Sequence, residues 1–288
     1  NEKSSRNRIA DLSLVKAIKS KPAALYKSDF SNRIKTGNFE DDFEKISDAD
    51  WVLEVIIEKL EIKKQIFEKV EKYRKKGSII TSNTSSIPIE MLVEGRSDDF
   101  KINFCGTHFF NPPRYLRLLE IIPHKKSDPE MIENFMKFGE LFLGKQTVLC
   151  KDTPAFIANR LGVMSSMKIL ELTKEMDFKI EEVDALTGPI IGRPNTGTFR
   201  LQDLVGIDTG ENVSKFVRAT VKNDEFVGSF KNIPTPKYID FLIENNFLGN
   251  KTKKGFYEKT NLKDEKGKTI IKALNLESLK YETSIRPN

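Results

Sequence analysis

The first half of the chain alternates between two patterns of apolar residues. Short apolar runs of the kind found in buried parallel strands are separated by segments whose apolar residues recur at helical spacing. The runs predicted as strands cover residues 51–57, 78–81, 101–110, 116–122 and 146–150. The predicted helices cover residues 9–18, 62–73, 88–93 and 128–143. Strands that alternate with helices of this length predict an α/β fold with a parallel or mostly parallel sheet.

The pattern changes after Cys150, where helical spacing takes over. Thr153 is a good N-cap and Pro154 a good first residue for a long helix to about Met176. Further helices are predicted at 180–186, 201–221 and 238–245, and a terminal hairpin at 269–274 and 279–283. We therefore expect two domains, a doubly wound domain over residues 1–150 and a mainly helical domain over residues 151–288.

One feature expected of a nucleotide-binding sheet is not found in the sequence. Such a fold opens with a strand and a glycine-rich turn of the form G-x-G-x-x-G. The chain begins at Asn1, reads as helix by Ile9, and its glycine-bearing stretch at 188–197 has the wrong spacing. We interpret the first domain as an incomplete Rossmann-like sheet that lacks this opening segment.

Composition places the chain among soluble folded proteins. It has 288 residues, of which 38% are hydrophobic and 31% charged, which excludes a disordered chain. No apolar run approaches the roughly 20 residues needed to cross a bilayer, so we expect no membrane segment. Cys105 and Cys150 show no metal-site spacing. We interpret them as reduced thiols of a cytoplasmic protein and expect no metal.

Positive charge is concentrated at the N-terminal end of a chain whose net charge is +6. Between Asn1 and Lys27 the lysines and arginines far outnumber the two acids, Glu2 and Asp11. No aromatic residue precedes Tyr26, which removes the stacking partners that single-stranded nucleic acid needs. A solvated helix face is the plainer interpretation, a phosphorylated small ligand comes next, and nucleic acid is not expected.

Four polar side chains, each inside or at the end of an apolar element, form a candidate active site. His108 follows a strand and is suited to act as a general base, although a hydrogen-bonded core histidine has the same pattern. Glu120 stands between leucines and isoleucines, where an unpaired carboxylate is costly to bury. A histidine partner would satisfy it and stabilise the imidazolium.

The other two members are a hydroxyl and an amide. Ser85 could donate to a substrate oxygen or merely cap the next helix. Asn159 lies on an apolar helical stripe, where its amide needs a substrate carbonyl or an interdomain partner. We interpret His124 as a surface residue. These residues indicate an enzyme-like domain with a His–Glu base, but they do not identify a substrate.

Four motifs together resemble the 3-hydroxyacyl-CoA dehydrogenase family of fatty-acid β-oxidation. In chain order they are Ser82-Asn83-Thr84-Ser85-Ser86, His108-Phe109-Phe110-Asn111-Pro112, Leu119-Glu120, and Asp152-Thr153-Pro154 through Asn159-Arg160. The resemblance continues at residues 203–209 and 251–257 and covers essentially the whole chain. Residues 20–25 and 95–100 look most like the bacterial long-chain members, which continue into an enoyl-CoA hydratase domain.

The resemblance implies NAD-dependent oxidation of an L-3-hydroxyacyl-CoA to the 3-ketoacyl-CoA. His108 would take the hydroxyl proton, Glu120 would steady the imidazolium, and Ser85 and Asn159 would hold the substrate oxygens. The positions that match the family's cofactor contacts are Glu54, Lys59, Asn83, Ser85, Asn111 and Lys251. Ser13 and Lys19 match the positions that hold coenzyme A, and a homodimer is a further expectation.

The missing glycine turn is the main departure from the family pattern, because the pyrophosphate rests on that turn. We therefore predict that the 288-residue chain binds NAD weakly, which calorimetry can test. Two other functions stay open. One is a related dehydrogenase of small hydroxy acids, and the other is a non-catalytic module that docks acyl-CoA or a partner subunit.

Overall fold

A computed structural model describes residues 2–222, 224–230, 232–285 and 287. The chain divides into two compact units, the first ending at Ile157 and the second beginning at Ala158. Within the described residues, every helix is too short or too polar to span a bilayer.

A five-stranded sheet forms the centre of the first unit. Its strands are β1 (Trp51–Glu54), β2 (Ile79–Ser82), β3 (Phe104–Phe109), β4 (Leu118–Pro123) and β5 (Gln146–Leu149). They lie side by side in the order β1-β2-β3-β4-β5. Strands β3 and β4 are antiparallel, and the other neighbouring pairs are parallel. The prediction of an α/β fold with a mostly parallel sheet is confirmed.

The helices of the first unit are α1 (Glu2–Lys19), α2 (Leu60–Tyr73), α3 (Ile89–Leu92), α4 (Asp98–Ile102) and α5 (Pro129–Leu141). Helices α2, α3 and α4 pack on one face of the sheet, and α5 packs on the other. On one face, Phe67 of α2 and Phe100 of α4 pack against Phe104 of β3. On the other, Phe135 of α5 packs with Leu119 of β4. Each buried side chain of this size contributes about 1.5–3 kcal/mol, so the sheet between the two layers is held firmly.

Two predicted strands of the first unit are shorter than their apolar runs. Strand β1 ends at Glu54 rather than at residue 57, because the Glu54 carboxylate accepts a hydrogen bond from the Ile56 backbone at 2.6 Å and turns the chain. Strand β3 begins at Phe104, because residues before it belong to α4, which Ser97 caps by accepting from the Phe100 backbone N–H.

The interpretation of His124 as a surface residue is wrong. The side chain is buried, with 7% of its surface exposed, and its Nε2 lies 2.8 Å from the Lys101 carbonyl oxygen. The Phe104 ring packs against the imidazole. The sequence does not reveal this burial, because Lys125 and Lys126 follow His124 and a single buried residue can stand next to exposed polar ones.

The second unit is mainly helical. Its helices are α6 (Ala158–Glu175), α7 (Ile180–Leu186), α8 (Phe199–Val205), α9 (Ile207–Thr220), α10 (Glu225–Phe230) and α11 (Lys237–Glu244). An antiparallel sheet follows, with β6 (Tyr257–Lys263), β7 (Thr269–Leu274) and β8 (Tyr281–Thr283) in that order. The predicted hairpin is therefore part of a three-stranded sheet, and the sequence pattern does not predict its first strand, β6.

The long helix predicted from Pro154 begins only at Ala158. Ala155 and Phe156 have positive φ angles of 63° and 47°, which a right-handed helix cannot contain. The helix predicted over residues 201–221 is likewise divided into α8 and α9, because Gly206 between them has a φ of 103°. In both places one or two residues in left-handed conformations override a good helical pattern.

Candidate active site

His108 and Glu120 face each other across strands β3 and β4. The antiparallel register places them directly opposite one another, and such pairs bring Cβ atoms to roughly 4.5–5.5 Å. His108 Nδ1 lies 2.6 Å from Glu120 Oε2, and the two residues are only 4% and 0% exposed. With its Nδ1 proton directed at the carboxylate, the imidazole keeps a lone pair on Nε2 that can accept a proton.

The turn before α6 completes the surroundings of this pair. The left-handed residues Ala155 and Phe156 direct the Ile157 backbone N–H toward Glu120, where Oε1 accepts it at 2.9 Å. The Phe156 ring lies 5.6 Å from the His108 ring between centroids. An apolar enclosure of this kind strengthens hydrogen bonds by excluding water. The strained turn therefore fixes the carboxylate that orients the imidazole.

Cys150 lies beside the same carboxylate. Burial, followed by the charge of Glu120, raises the pKa of the Cys150 thiol to about 12. Burial also raises the pKa of Cys105 to about 12. Both cysteines are free, as the sequence predicts, and both are buried thiols with little thiolate character at neutral pH.

Ser85 and Asn83 belong to the loop that follows β2. Because β2 and β3 are parallel, with Ser82 opposite Gly106, this loop and the end of the His108 strand lie at the same edge of the sheet. Asn83 Oδ1 accepts a hydrogen bond from the Phe109 backbone N–H at 2.9 Å, which ties the loop to β3. Ser85 does not cap α3. The Asp152 carboxylate, which is distant in the sequence, accepts the hydrogen bonds from the Ile89 and Glu90 N–H groups at the start of that helix.

Glu58, just before α2, and Lys63, within α2, support this loop, and the sequence pattern does not predict that role. Glu58 accepts hydrogen bonds from the Ser85 and Ser86 backbone N–H groups, and its second oxygen pairs with Lys63. The sequence offers little signal for this role, because both residues stand in a run rich in Lys and Glu that reads as the polar face of a helix.

The remaining predicted residues of the first unit differ in their surroundings. The Glu54 carboxylate is buried and bonded to Lys63 and to the Ser82 hydroxyl, so it belongs to the protein interior. Lys59, just before α2, and Asn111, just past β3, are exposed. The predicted cofactor contacts of all three stay predictions.

Two further predicted residues stand on α1, and both are exposed. The Ser13 hydroxyl donates to the Ile9 carbonyl oxygen at 2.7 Å, and Lys19 is the last residue of the helix.

Asn159 and Lys251 belong to the second unit. Asn159 lies in the first turn of α6, partly buried. The Lys251 ammonium forms an ion pair with Asp208, and its hydrogen bond holds the pKa of that carboxyl below the usual range. Their predicted contacts with substrate and cofactor stay predictions.

Comparison with known families decides what kind of protein carries this pair. Residues 2–153 match the model of the 3-hydroxyacyl-CoA dehydrogenase NAD-binding domain, and residues 156–259 match that of the 3-hydroxyacyl-CoA dehydrogenase C-terminal domain. The chain belongs to the 3-hydroxyacyl-CoA dehydrogenase family. The resemblance of the four motifs is confirmed, and NAD is the cofactor of the family domain that residues 2–153 match.

Individual relatives agree with this assignment. The chain is 45% identical over 266 residues to a probable 3-hydroxyacyl-CoA dehydrogenase of Bacillus subtilis, covering 92% of this chain and 32% of that protein. It is 44% identical over 270 residues to a probable 3-hydroxyacyl-CoA dehydrogenase of Deinococcus radiodurans, covering 93% of this chain and 75% of that protein. The chain thus spans about a third of the Bacillus relative and three quarters of the Deinococcus relative.

A solved structure shows the same fold. The crystal structure of FadB2 from Mycobacterium tuberculosis superposes with a TM-score of 0.68 at 28% identity, covering 88% of this chain and 85% of that one. The chain is also 39% identical over 280 residues to a putative fatty acid oxidation complex trifunctional enzyme of Rickettsia felis, covering 96% of this chain and 38% of that protein.

The described residues of the first unit offer a sheet edge for a ligand such as NAD, but not a helix start suited to its pyrophosphate. The edge that holds His108 and Asn83 is the edge at which doubly wound sheets bind their ligands. The helix starts after the described parallel strands are not suited to a pyrophosphate. Asp152 already supplies an anion to the α3 start, accepting from the Ile89 and Glu90 N–H groups at 2.8 and 2.9 Å. No glycine precedes α2 in residues 55–59.

Proposed function

We propose that the protein oxidises the 3-hydroxyl group of an L-3-hydroxyacyl-CoA to a ketone with NAD, as a step of fatty-acid β-oxidation. The reaction removes a hydride from C3 and a proton from its hydroxyl group, and NAD, when bound, accepts the hydride. The observation that supports this proposal best is the buried contact of 2.6 Å between His108 Nδ1 and Glu120 Oε2. It leaves one imidazole nitrogen able to take the proton.

His108 is the proposed base of this reaction. Its Nε2 accepts the hydroxyl proton as the C3–O bond gains double-bond character, and the imidazole becomes an imidazolium. Glu120 stabilises that cation through a charge-assisted hydrogen bond, of a kind that contributes about 1.5–3 kcal/mol. Because Glu120 is itself held by the Ile157 N–H, the carboxylate does not have to reorient when the charge forms.

Ser85 and Asn159 are the residues proposed to hold the substrate oxygens. The Ser85 loop is fixed at the sheet edge next to the His108 strand, which supports a hydrogen-bonding role for the Ser85 hydroxyl. For the coenzyme A portion we propose the exposed basic side of α1 with Ser13 and Lys19. For the cofactor we propose Lys59, Asn83, Ser85, Asn111 and Lys251, and we place the buried Glu54 carboxylate behind them as the partner of Lys63 and Ser82.

The relatives also support a proposal about the domains that accompany this dehydrogenase. The trifunctional name of the Rickettsia relative supports a parent protein in which this dehydrogenase is fused to an enoyl-CoA hydratase domain. A homodimer and a cytoplasmic location are further proposals. Size-exclusion chromatography with light scattering would test the first, and cell fractionation the second.

A substrate comparison tests the proposed function. The full-length protein is assayed for NADH oxidation with acetoacetyl-CoA and with small keto acids such as acetoacetate, which lacks the thioester and the nucleotide. We expect kcat/KM to be at least 100-fold higher for acetoacetyl-CoA. Preference for the free keto acid would favour a dehydrogenase of small hydroxy acids. Turnover of neither would favour a non-catalytic module that docks acyl-CoA or a partner subunit.

A further inference from the structure

The Glu58 carboxylate collects hydrogen bonds from the loop that carries Ser85. Glu58 Oε1 accepts from the Thr84 hydroxyl at 2.5 Å, from the Ser85 backbone N–H at 2.9 Å, and from both the backbone N–H and the hydroxyl of Ser86 at 3.0 Å. Three consecutive residues are thereby held by one oxygen of a side chain 26 to 28 positions away in the sequence.

A buried lysine fixes Glu58 in turn. The Lys63 side chain is 1% exposed, and its ammonium lies 3.2 Å from Glu58 Oε2 and 2.8 Å from Glu54 Oε1. Glu54 also accepts from the Ser82 hydroxyl at 2.6 Å. One ammonium and two carboxylates thus connect the start of α2 to both ends of the loop after β2. Lys63 and Glu54 are buried, whereas the Glu58 side chain is 36% exposed, so Glu58 is the member of this network that reaches the loop from its solvent side.

The lowered pKa of Glu58 indicates that the loop binds this side chain in its charged form. Burial alone would raise the pKa of Glu58, but the Thr84 hydroxyl and the Lys63 ammonium bring it below its usual range. Glu58 is therefore a carboxylate at neutral pH. Hydrogen bonds to a charged acceptor are roughly twice as strong as those between neutral groups.

The loop is held from its other side by Asn83, which bonds to the Phe109 N–H one residue beyond His108. Ser85 therefore stands in a segment tied both to the catalytic strand and to the start of α2. We propose that Glu58, supported by Lys63, is a positioning residue that fixes residues 84–86 so that the Ser85 hydroxyl keeps one orientation for the substrate. This inference rests on the proposed function, since the role of Ser85 belongs to it.

A kinetic comparison in the full-length protein tests the positioning role. The Glu58→Ala change is expected to lower kcat with acetoacetyl-CoA by about 10- to 100-fold, somewhat less than the loss of a direct oxyanion donor. The apparent KM for acetoacetyl-CoA should stay within threefold of the wild-type value. The pH profile of kcat/KM should keep its shape, because the His108–Glu120 pair is untouched. Glu58→Gln keeps an acceptor oxygen for the loop and should recover part of the loss.

Glu94→Ala is the matched control. Glu94 also pairs with a lysine of α2, Lys64, at 2.7 Å, but it does not bond to the Ser85 loop, and its side chain is 72% exposed against 36% for Glu58. We expect its kinetics to equal those of the wild type. A kcat for Glu58→Ala within threefold of the wild type, or an equal loss in Glu94→Ala, would overturn the positioning role.

Hydrogen–deuterium exchange separates this inference from the proposed function. In Glu58→Ala, the amides of residues 84–86 should exchange at least tenfold faster than in the wild type, while β3, β4 and α1 exchange at unchanged rates. This result does not depend on activity. An inactive wild type with the expected exchange would refute the proposed function and keep the loop contact. An active wild type with unchanged exchange would refute the positioning role.

Discussion

Replacing Glu120 by glutamine removes the charge of the proposed His–Glu pair and keeps its shape. In the native protein, Oε2 faces His108 Nδ1 and Oε1 accepts the Ile157 N–H at 2.9 Å. A glutamine has one oxygen and one NH₂ group, so it can accept only one of these two hydrogen bonds. The other donor then faces an NH₂ group in a site where Glu120 is fully buried.

The magnitude follows from the hydrogen bond that is lost. A charge-assisted bond to a buried carboxylate contributes about 1.5–3 kcal/mol to the imidazolium that forms during the reaction. At 1.36 kcal/mol per factor of ten, Glu120→Gln should lower kcat/KM about 10- to 150-fold. The His108→Gln/Glu120→Gln double variant should be no slower than His108→Gln alone, because Glu120 acts only through the imidazole.

The assay is NADH oxidation with acetoacetyl-CoA in the full-length protein, with the exposed pair Glu133 and Lys137 of α5 supplying a control variant, Glu133→Gln. Circular dichroism and urea unfolding confirm that each variant is folded. If the two single losses simply multiplied in the double variant, Glu120 and His108 would act independently, and the proposed pairing would be refuted.

Two further predictions concern buried groups outside the pair. Burial raises the pKa of Asp203 to about 6, above the ~3.9 of an unfolded chain, so its contribution to stability is lost as the pH rises from about 4 to about 6. In urea titrations the stability of the wild type relative to Asp203→Asn should therefore fall across that range, and a rise would contradict the assignment. Cys105 and Cys150 should resist iodoacetamide at pH 8 in the native protein and react in 6 M urea, as mass spectrometry would show. Rapid alkylation of either native thiol would contradict their burial.

The contact between His108 and Glu120 could be predicted from the sequence because burying an unpaired carboxylate costs free energy. A carboxylate in an apolar strand needs a partner, and a chain with two histidines offers few. The antiparallel register of β3 and β4 then brings the two side chains together.

Other features depend on contacts that no local pattern reports. Thr153 and Pro154 are good helix-start residues, yet the bond from the Ile157 N–H to Glu120 holds the following residues in a turn and delays α6. Glu58 looks like one more charge at a helix start, and its role appears only when the loop after β2 folds against it. Lys and Asn interrupt the apolar alternation of strand β6, so the sequence pattern does not predict it.

The reaction proposed for this protein is tested most directly by His108→Gln in the full-length protein. Steady-state NADH oxidation with acetoacetyl-CoA should show kcat lowered about 10²- to 10⁴-fold, the usual contribution of a positioned acid–base group. The Kd for acetoacetyl-CoA should change less than threefold, because the imidazole acts on the proton and not on the coenzyme A portion. A loss of kcat smaller than threefold would remove His108 from the role of base.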